Sequence, residues 1–528
     1  MPVLEYLGHS GLTVEHDGKQ LLCDPWMTPD GAYNASWFQY PAYPHAGLER
    51  ILQPDAVYVS HEHLDHYDPW FLAKLSKSTP MITGRFYKRR IARKLMDLGF
   101  ENVHELDDFE PYEIAPGFVV EVCVPKLNCA PHWFDSCAFI TTGDTRIFNL
   151  NDANPAIDMD SMRERGMDVL LAQASPAIWY PLTYTCYEEE QKRGMRAARR
   201  ESAIDAFVKT CQALQPKLAI PFAGPPCFFD EQLAQHFITE DSMFGTPPMA
   251  AGRLEAETDI PADILKPGDR LSVDPSGYSI EREPAYADFD YERDRQSYYE
   301  SHRAEKERVI ADVLAAIPEA EAGLLDRLRS HLEPLIRRNP FFCARVDMCV
   351  LFEVTGTNGG SWVVGFRDDR TPDLSIVREH DGETCHYRFE FEARNIDQVL
   401  RGEMSWEDLL LSLRFKAERD PDRYNQHLFS FFKMADHAAL QAIATAEMAL
   451  ESVPADTFVL ETETGRYEVQ RFCPHAGSDL AEADVVDGRI VCPGHRWHFS
   501  LNDGSCEESD YTIHCRPLEP ENTVKKAG

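Results

Sequence analysis

From the first residue to about Val273, short apolar runs alternate with longer stretches whose apolar side chains recur every three or four positions. That is the α/β pattern. Strands are predicted at Val119–Val124, Ala138–Thr142, Ile147–Leu150, Val169–Ala172 and Leu218–Pro221, and helices at Trp70–Lys77, Lys88–Leu98 and Glu188–Leu214. The long helix stops before Gln215-Pro216, since proline disfavours α geometry in the residue before it. The run Leu265–Leu271 reads as the turn and strand that close this first domain, residues 1–280. Residues 281–303 are crowded with charge and tyrosine but poor in aliphatics, which predicts a linker or an extended arm lying on a neighbouring surface. Residues 304–452 show helical periodicity at both ends, around Val309–Ala316 and Trp406–Phe415. Strand-like runs lie between them at Cys349–Val354 and Ser361–Phe366, so an α+β middle domain is expected. Residues 453–528 return to short β-runs and glycine turns, the pattern of a small all-β unit. No internal repeat is present.

Composition narrows the picture. At 528 residues and 43% hydrophobic content the chain can bury several cores. Acidic residues outnumber basic ones by 88 to 53, a net charge of −35, which argues against nucleic acid as a general partner. There is no apolar run long enough to span a membrane, and the N-terminus lacks the basic and apolar regions of a signal peptide. A soluble, cytoplasmic protein is expected. The fourteen cysteines are scattered, which suits buried thiols in a reducing compartment, with two reserved for function.

The stretch Ser60-His61-Glu62-His63-Leu64-Asp65-His66 follows the apolar run Asp55–Val59. It packs three imidazoles and a carboxylate at the end of a strand, ligands that both zinc and iron accept, and reads as a dinuclear metal site. The pattern resembles the metallo-β-lactamase superfamily. Leu4–Leu12 and Leu21–Trp26 look like the paired opening strands of its UlaG-like branch, whose fold is an αββα sandwich. The resemblance implies that His61, His63 and a third histidine hold one metal, that Asp65 and His66 hold the other, and that a carboxylate bridges them. His132 is the candidate third histidine and Asp152, at a strand end, the candidate bridge. His9 is expected near the metals rather than on them. The last histidine of the superfamily pattern is missing: Ala223 stands in Ile220-Pro221-Phe222-Ala223-Gly224, and Asp230, His236 or Cys227 could replace it. An open coordination position favours oxygen chemistry over hydrolysis.

A second pattern joins Cys473-Pro474-His475 to Cys492-Pro493-Gly494-His495. Two cysteines on one iron and two histidines on the other is how a Rieske [2Fe–2S] centre is held, and a structural zinc knuckle is the competing reading. With little sequence after this cluster, its electrons are expected to go to another site. The cluster His61–His66 is the acceptor the sequence offers.

Ser60–His66, Asp135-Ser136-Cys137, Ile147–Asp152, Pro221–Gly224 and Arg419-Asp420-Pro421-Asp422-Arg423-Tyr424 near Trp406 together resemble CMP-N-acetylneuraminate hydroxylase-like proteins. That family also joins a Rieske domain to a lactamase-like one, although at the N-terminus. The resemblance implies an O₂-dependent monooxygenase of a small polar substrate, a non-haem di-iron site with zinc as the other candidate metal, and a ferredoxin or ferredoxin reductase as donor. Two other readings compete: a phosphodiester or lactone hydrolase with a regulatory Rieske domain, and a non-catalytic electron carrier. The aromatic stretch Pro176–Tyr184 is expected to wall the pocket or simply to pack. The basic stretches Arg85–Lys94 and Lys192–Arg200 read as solvated helix faces or as sites for phosphate or an acidic ferredoxin.

Overall fold

In the strand Phe118–Cys123 every second side chain points inward, and Phe118, Val120 and Val122 are fully buried. They meet Leu4, Leu12, Tyr58, Ile140, Leu171 and Ile220 in one core between two sheets. In the computed structural model, which describes all residues except 87–88, 125–134, 153–158, 275–276, 367–375, 421, 453–455, 476, 495 and 519–528, these sheets have eight and six strands. The first runs, in order, Gly277–Glu281, Arg270–Asp274, Val3–Gly8, Gly11–His16, Lys19–Cys23, Ala56–Tyr58, Met81–Gly84 and Val103–Leu106. The second runs Leu218–Phe222, Val169–Gln173, Thr145–Asn151, Cys137–Thr142, Phe118–Cys123 and Pro111–Ala115. The helices Pro69–Leu72 and Arg90–Asp97 cover the outer face of the first sheet through Phe71, Leu72, Ile91 and Leu95. The helices Glu189–Leu214 and Pro247–Glu257 cover the second through Ile204, Phe207, Val208 and Leu254. This is the αββα sandwich.

What positions the site is strand direction. Lys19–Cys23 pairs in parallel with Ala56–Tyr58, and Thr145–Asn151, Val169–Gln173 and Leu218–Phe222 are parallel to one another. Parallel strands share one carboxyl edge, where sites form in such folds. Asp24, Ser60–His66, Asp152 and Ala223 all follow strands that end there.

The segment expected to be a linker or arm is different. A helix, Arg295–Ala316, starts inside it, and Tyr291, Tyr298 and Tyr299 are buried with Tyr40, Phe229 and Phe237. Tyr298 Oη accepts from Ala42 N at 3.0 Å, and Tyr40 Oη donates to Tyr291 O at 2.8 Å. The tyrosines are buried through their rings while the hydroxyls find partners. In the middle domain a five-stranded sheet, ordered Val377–Glu379, Gly360–Gly365, Cys349–Thr355, Tyr387–Glu392 and Phe415–Arg419, packs on the helix Leu324–Arg338 and on Gln426–Met434. The helix predicted over Trp406–Phe415 stops at Leu411. Leu413 takes a φ of 58°, which ends helical geometry, and Phe415 and Ala417 then alternate inward as a strand. The helix over Trp70–Lys77 is likewise shorter, Pro69–Leu72, capped by Asp68.

The last unit holds two three-stranded sheets, Thr457–Thr462/Gly465–Gln470/Cys515–Leu518 and Asp484–Val486/Arg489–Val491/His498–Ser500. It is tied to the middle domain by the Arg419–Tyr424 segment: Tyr424 N donates to Glu508 O at 3.2 Å and Arg423 donates to Ser509 O at 2.6 Å. It is tied to the first domain by Lys209–Asp484 at 2.8 Å and Arg496–Asp205 at 3.4 Å.

Candidate metal centres

Three imidazoles of the His61–His66 turn each have one nitrogen occupied and the other turned inward. Ser60 Oγ lies 2.9 Å from His61 Nδ1, Glu407 Oε1 lies 3.0 Å from His63 Nε2, and Asp24 Oδ2 lies 3.2 Å from His66 Nδ1. Such partners fix the tautomer and the ring direction. The remaining nitrogens converge: His61 Nε2 and His63 Nδ1 are 2.8 Å apart, and His66 Nε2 is 3.2 Å from Asp152 Oδ2. His66 Nε2 and Asp152 Oδ1 are buried and make no hydrogen bond among the described residues. Nitrogen and carboxylate donors arranged in this way fit a pair of divalent metals. Asp65 is placed by Tyr33, whose hydroxyl donates to Oδ1 at 2.5 Å.

A fourth imidazole completes the cluster. His9 Nε2 lies 3.0 Å from Asp65 Oδ2, and donor atoms of His9, Asp65 and His66 lie within 4.8 Å of one another. Its backbone carbonyl accepts from Ala223 N at 3.1 Å, so His9 stands beside the position the missing histidine would take. Both residues are left-handed, with φ of 48° and 56°, an uncommon backbone for non-glycine residues that concentrates at functional sites. The three proposed substitutes do not reach the cluster. Asp230 pairs with Arg414 at 2.6 Å, His236 lines a separate cavity, and Cys227 is buried in a bridge to Phe38. His132 lies outside the described residues.

The electrostatics follow from burial and neighbours. Burial drives His61 well below its ordinary value. Burial also pulls on His63, but the Glu407 carboxylate outweighs it and pushes His63 up to about 9. Desolvation opposes the Asp152 carboxylate, yet His66 and His61 hold it well below the usual range. Asp135, buried beside the cluster, is pushed up by burial against the pull of Lys433 and His63. Glu407 and Lys433, 2.7 Å apart, come from the middle domain, and no local signal in the sequence announces them, nor Tyr33. The basic stretch near Arg90 serves the histidine turn directly, since Arg90 and Lys94 pair with Glu62 inside it at 2.6 and 3.3 Å.

The two Cys/His loops of the last unit repeat one another. Cys473 N donates to Ser478 O at 2.9 Å and accepts from Gly477 N at its carbonyl at 2.8 Å; Cys492 N donates to Trp497 O at 2.8 Å and its carbonyl accepts from Arg496 N at 2.9 Å. Gly477 and Arg496, the fourth residue after each cysteine, are both left-handed, at φ 71° and 59°. Cys473, Cys492 and His475 are buried, and none of the described cysteines forms a disulfide. His495 lies outside the described residues. Paired knuckles carrying thiol and imidazole donors fit a [2Fe–2S] centre.

Residues 3–223 match the Beta-lactamase superfamily domain, residues 324–447 the Rv3818-like, SCP2-like domain, and residues 435–517 the Rieske [2Fe-2S] domain. The chain joins a metallo-β-lactamase domain to a C-terminal Rieske domain. It is 28% identical to a Rieske 2Fe-2S iron-sulfur protein of Mycolicibacterium smegmatis, over 97% of this chain and 99% of that one. It is 22% identical to the cytidine monophosphate-N-acetylneuraminic acid hydroxylase of Xenopus laevis, over 81% of this chain and 71% of that one. A solved metallo hydrolase of Ignicoccus hospitalis aligns with 52% of this chain and 98% of its own, at 16% identity and a TM-score of 0.35.

The Rieske domain meets the lactamase domain at the site. Gly494 of the second Rieske loop lines the same cavity, about 190 Å³, as His63, Asp65, Asp135 and Asp152. A neighbouring cavity of about 350 Å³ is lined by His475 and Trp497 together with Ile178, Trp179, Tyr180 and Tyr424. The His475 ring stacks on Trp497 at 4.1 Å, and Tyr424 stacks on Phe429, which lies 5.7 Å from Trp179. The aromatic stretch Pro176–Tyr184 thus walls both cavities.

Proposed function

We infer that the protein is an O₂-dependent monooxygenase of a small polar substrate, with electrons relayed from the Rieske domain to a non-haem di-iron site in the lactamase domain. The observation that carries the reading is the common cavity, lined at once by the second Rieske loop and by His63, Asp65 and Asp152. The relative named as a hydroxylase supports it. His61, through Nε2, and His63, through Nδ1, would hold one metal together with His132. Asp65, His66 and His9 would hold the other, with Asp152 between them. Cys473, His475, Cys492 and His495 would hold the [2Fe–2S] cluster.

When bound, a pair of irons supplies O₂ activation and the cluster supplies one electron at a time. The chain's own residues do the rest. Ser60, Glu407 and Asp24 keep the three imidazoles aimed inward, and Tyr33 keeps Asp65 from turning away. Burial pushes the Asp135 carboxyl up while the neighbouring histidines hold Asp65 and Asp152 down, so Asp135 takes a proton more readily than either. Trp37, Leu150, Ile178 and Phe207 line the cavity with apolar surface that limits water.

The test is metal and inorganic-sulfide analysis of anaerobically purified protein, with EPR after dithionite reduction and oxygen uptake with a chemical reductant. About four irons and two sulfides per chain, a Rieske signal and reductant-dependent uptake are expected from a [2Fe–2S] cluster plus a di-iron site. Two irons, two zincs and no uptake would send the site back to hydrolysis.

A further inference from the structure

The wall of the metal cavity furthest from local explanation is one face of the helix Glu189–Leu214. Arg199, Ser202, Ala206 and Thr210 lie at helical spacing along it, all lining the cavity that holds His63 and Asp152. Small side chains keep the space open. Arg199 is the one Lys or Arg among the described residues that line it.

Every other arginine of this basic stretch that faces the neighbouring Glu240–Ser242 segment or its own helix start is accounted for. Arg193 pairs with Asp241 at 2.9 Å, Arg196 with Glu189 at 2.8 Å, and Arg200 donates to the carbonyls of Glu240 and Ser242 at 3.0 Å each. Arg199 has no carboxylate within ion-pair distance among the described residues. It lies over the Tyr180 ring at 5.2 Å, sharing that ring with Arg419, which Asp422 already neutralises at 2.7 Å. Burial pulls its guanidinium below the ordinary value. Three residues on, Ser202 Oγ is buried and has no hydrogen-bond partner among the described residues. A half-buried guanidinium without a carboxylate partner, beside a buried hydroxyl without a hydrogen bond, offers donors to an anion's oxygens.

We propose that Arg199 and Ser202 anchor a carboxylate of the substrate, so that the enzyme acts on a compact carboxylic acid held between the Rieske loop and the dinuclear site. This rests on the reading of the cavity as the active site. A carboxylate matches the fork of one guanidinium and leaves its charge balanced. A phosphate dianion would bring two charges against one cation, in a cavity already lined by Asp65, Asp135 and Asp152. The volume of about 190 Å³ is below the ~300–1,000 Å³ of drug-sized pockets, which suits a small acid. Arg199 and Ser202 also line the cavity of His475, so the acid would sit against both metal centres.

The experiment is calorimetric titration of the anaerobic holoprotein with propionate, benzoate, benzamide and inorganic phosphate, repeated on R199Q, R199K, S202A and the control R193Q. A carboxylate should bind at least ~10-fold more tightly than benzamide or phosphate, since the latter forfeit the charge-assisted pair or overload it. R199Q should weaken it by ~30-fold or more, R199K by less, S202A by ~3- to 10-fold, and R193Q not at all. An unchanged visible spectrum of the cluster certifies each fold, and R199K with S202A decides if R199Q fails to fold. No carboxylate binding to the holoprotein, tighter phosphate binding, or full carboxylate binding by R199Q, which would put the acid on the metals alone, overturns the proposal. Titration needs no turnover: a carboxylate site without oxygen uptake removes the oxygenase reading and keeps the anchor, and uptake without the site does the reverse.

Discussion

Glu407→Leu separates two effects of one carboxylate by pH. Glu407 reaches from the middle domain to His63 Nε2 at 3.0 Å and to Lys433 at 2.7 Å. It orients His63 for a metal, and it also raises the affinity of His63 for a proton, which competes with the metal. With His63 pushed up to about 9, the proton costs a metal about 1.5 pK units at pH 7.5, ~30-fold or ~2 kcal/mol. Losing the orienting acceptor costs ~10- to 100-fold in metal affinity. At pH 7.5 the variant sheds the competition as it loses the orientation, so its zinc affinity should lie within ~3-fold of the parent's. At pH 9.5 little proton competition is left in the parent, and the variant should bind ~10- to 100-fold more weakly. The Lys433 ammonium also loses its Glu407 partner at 2.7 Å, so the comparison is best run in a Lys433→Met background. Zinc titration of the apoprotein against a competing chelator at the two pH values reads both numbers. An affinity ratio that is the same at both pH values would refute the reasoning.

Other consequences are simpler to measure. His9→Ala should lower the lactamase-domain metal content by about one per chain with cluster iron unchanged, by metal analysis; unchanged metal content would put His9 beside the metals and not on them. Tyr424→Ala removes a ring that stacks on Phe429 and meets His475 edge-on and Trp497 at a tilt, and should cost ~3 kcal/mol of stability in denaturant titration while sparing the cluster spectrum. It should also slow reductant-dependent oxygen uptake, and uptake at the parent rate would count against a Rieske-to-cavity route. Cys492→Ser should bleach the cluster yet leave metal binding at the histidine turn unchanged, since the proposed ligand sets have no residue in common.

The parts of the site encoded in adjacent residues are legible in the sequence. His61 to His66 and the two Cys/His loops each sit within a single turn, so spacing alone carries the geometry. The strands Phe118–Cys123 and Tyr387–Glu392 alternate in a way that reads directly as burial. What stays hidden depends on chain segments far apart. Trp37 donates to Leu411 O across a separation of 374 residues, and Glu407 meets His63 over a comparable distance. No periodicity reports such a meeting. His9 reads as a residue near the metals, and only the fold brings it against Ala223. Tyrosine-rich residues 281–303 read as an arm because aromatic burial by ring, with hydroxyls satisfied on backbone, leaves no aliphatic signature.

The contact between Glu407 and His63 also sets a timetable. On a growing chain the histidine turn leaves the ribosome about 340 residues before its middle-domain partner, on the order of 20–70 s at ~5–20 residues per second. For that interval His63 lacks the acceptor that fixes its ring, so the nascent domain offers an unfinished nest to whichever divalent ion is most abundant. Commitment to a metal then belongs to the completed polypeptide, and a truncated N-terminal fragment is the form most exposed to taking up the wrong one.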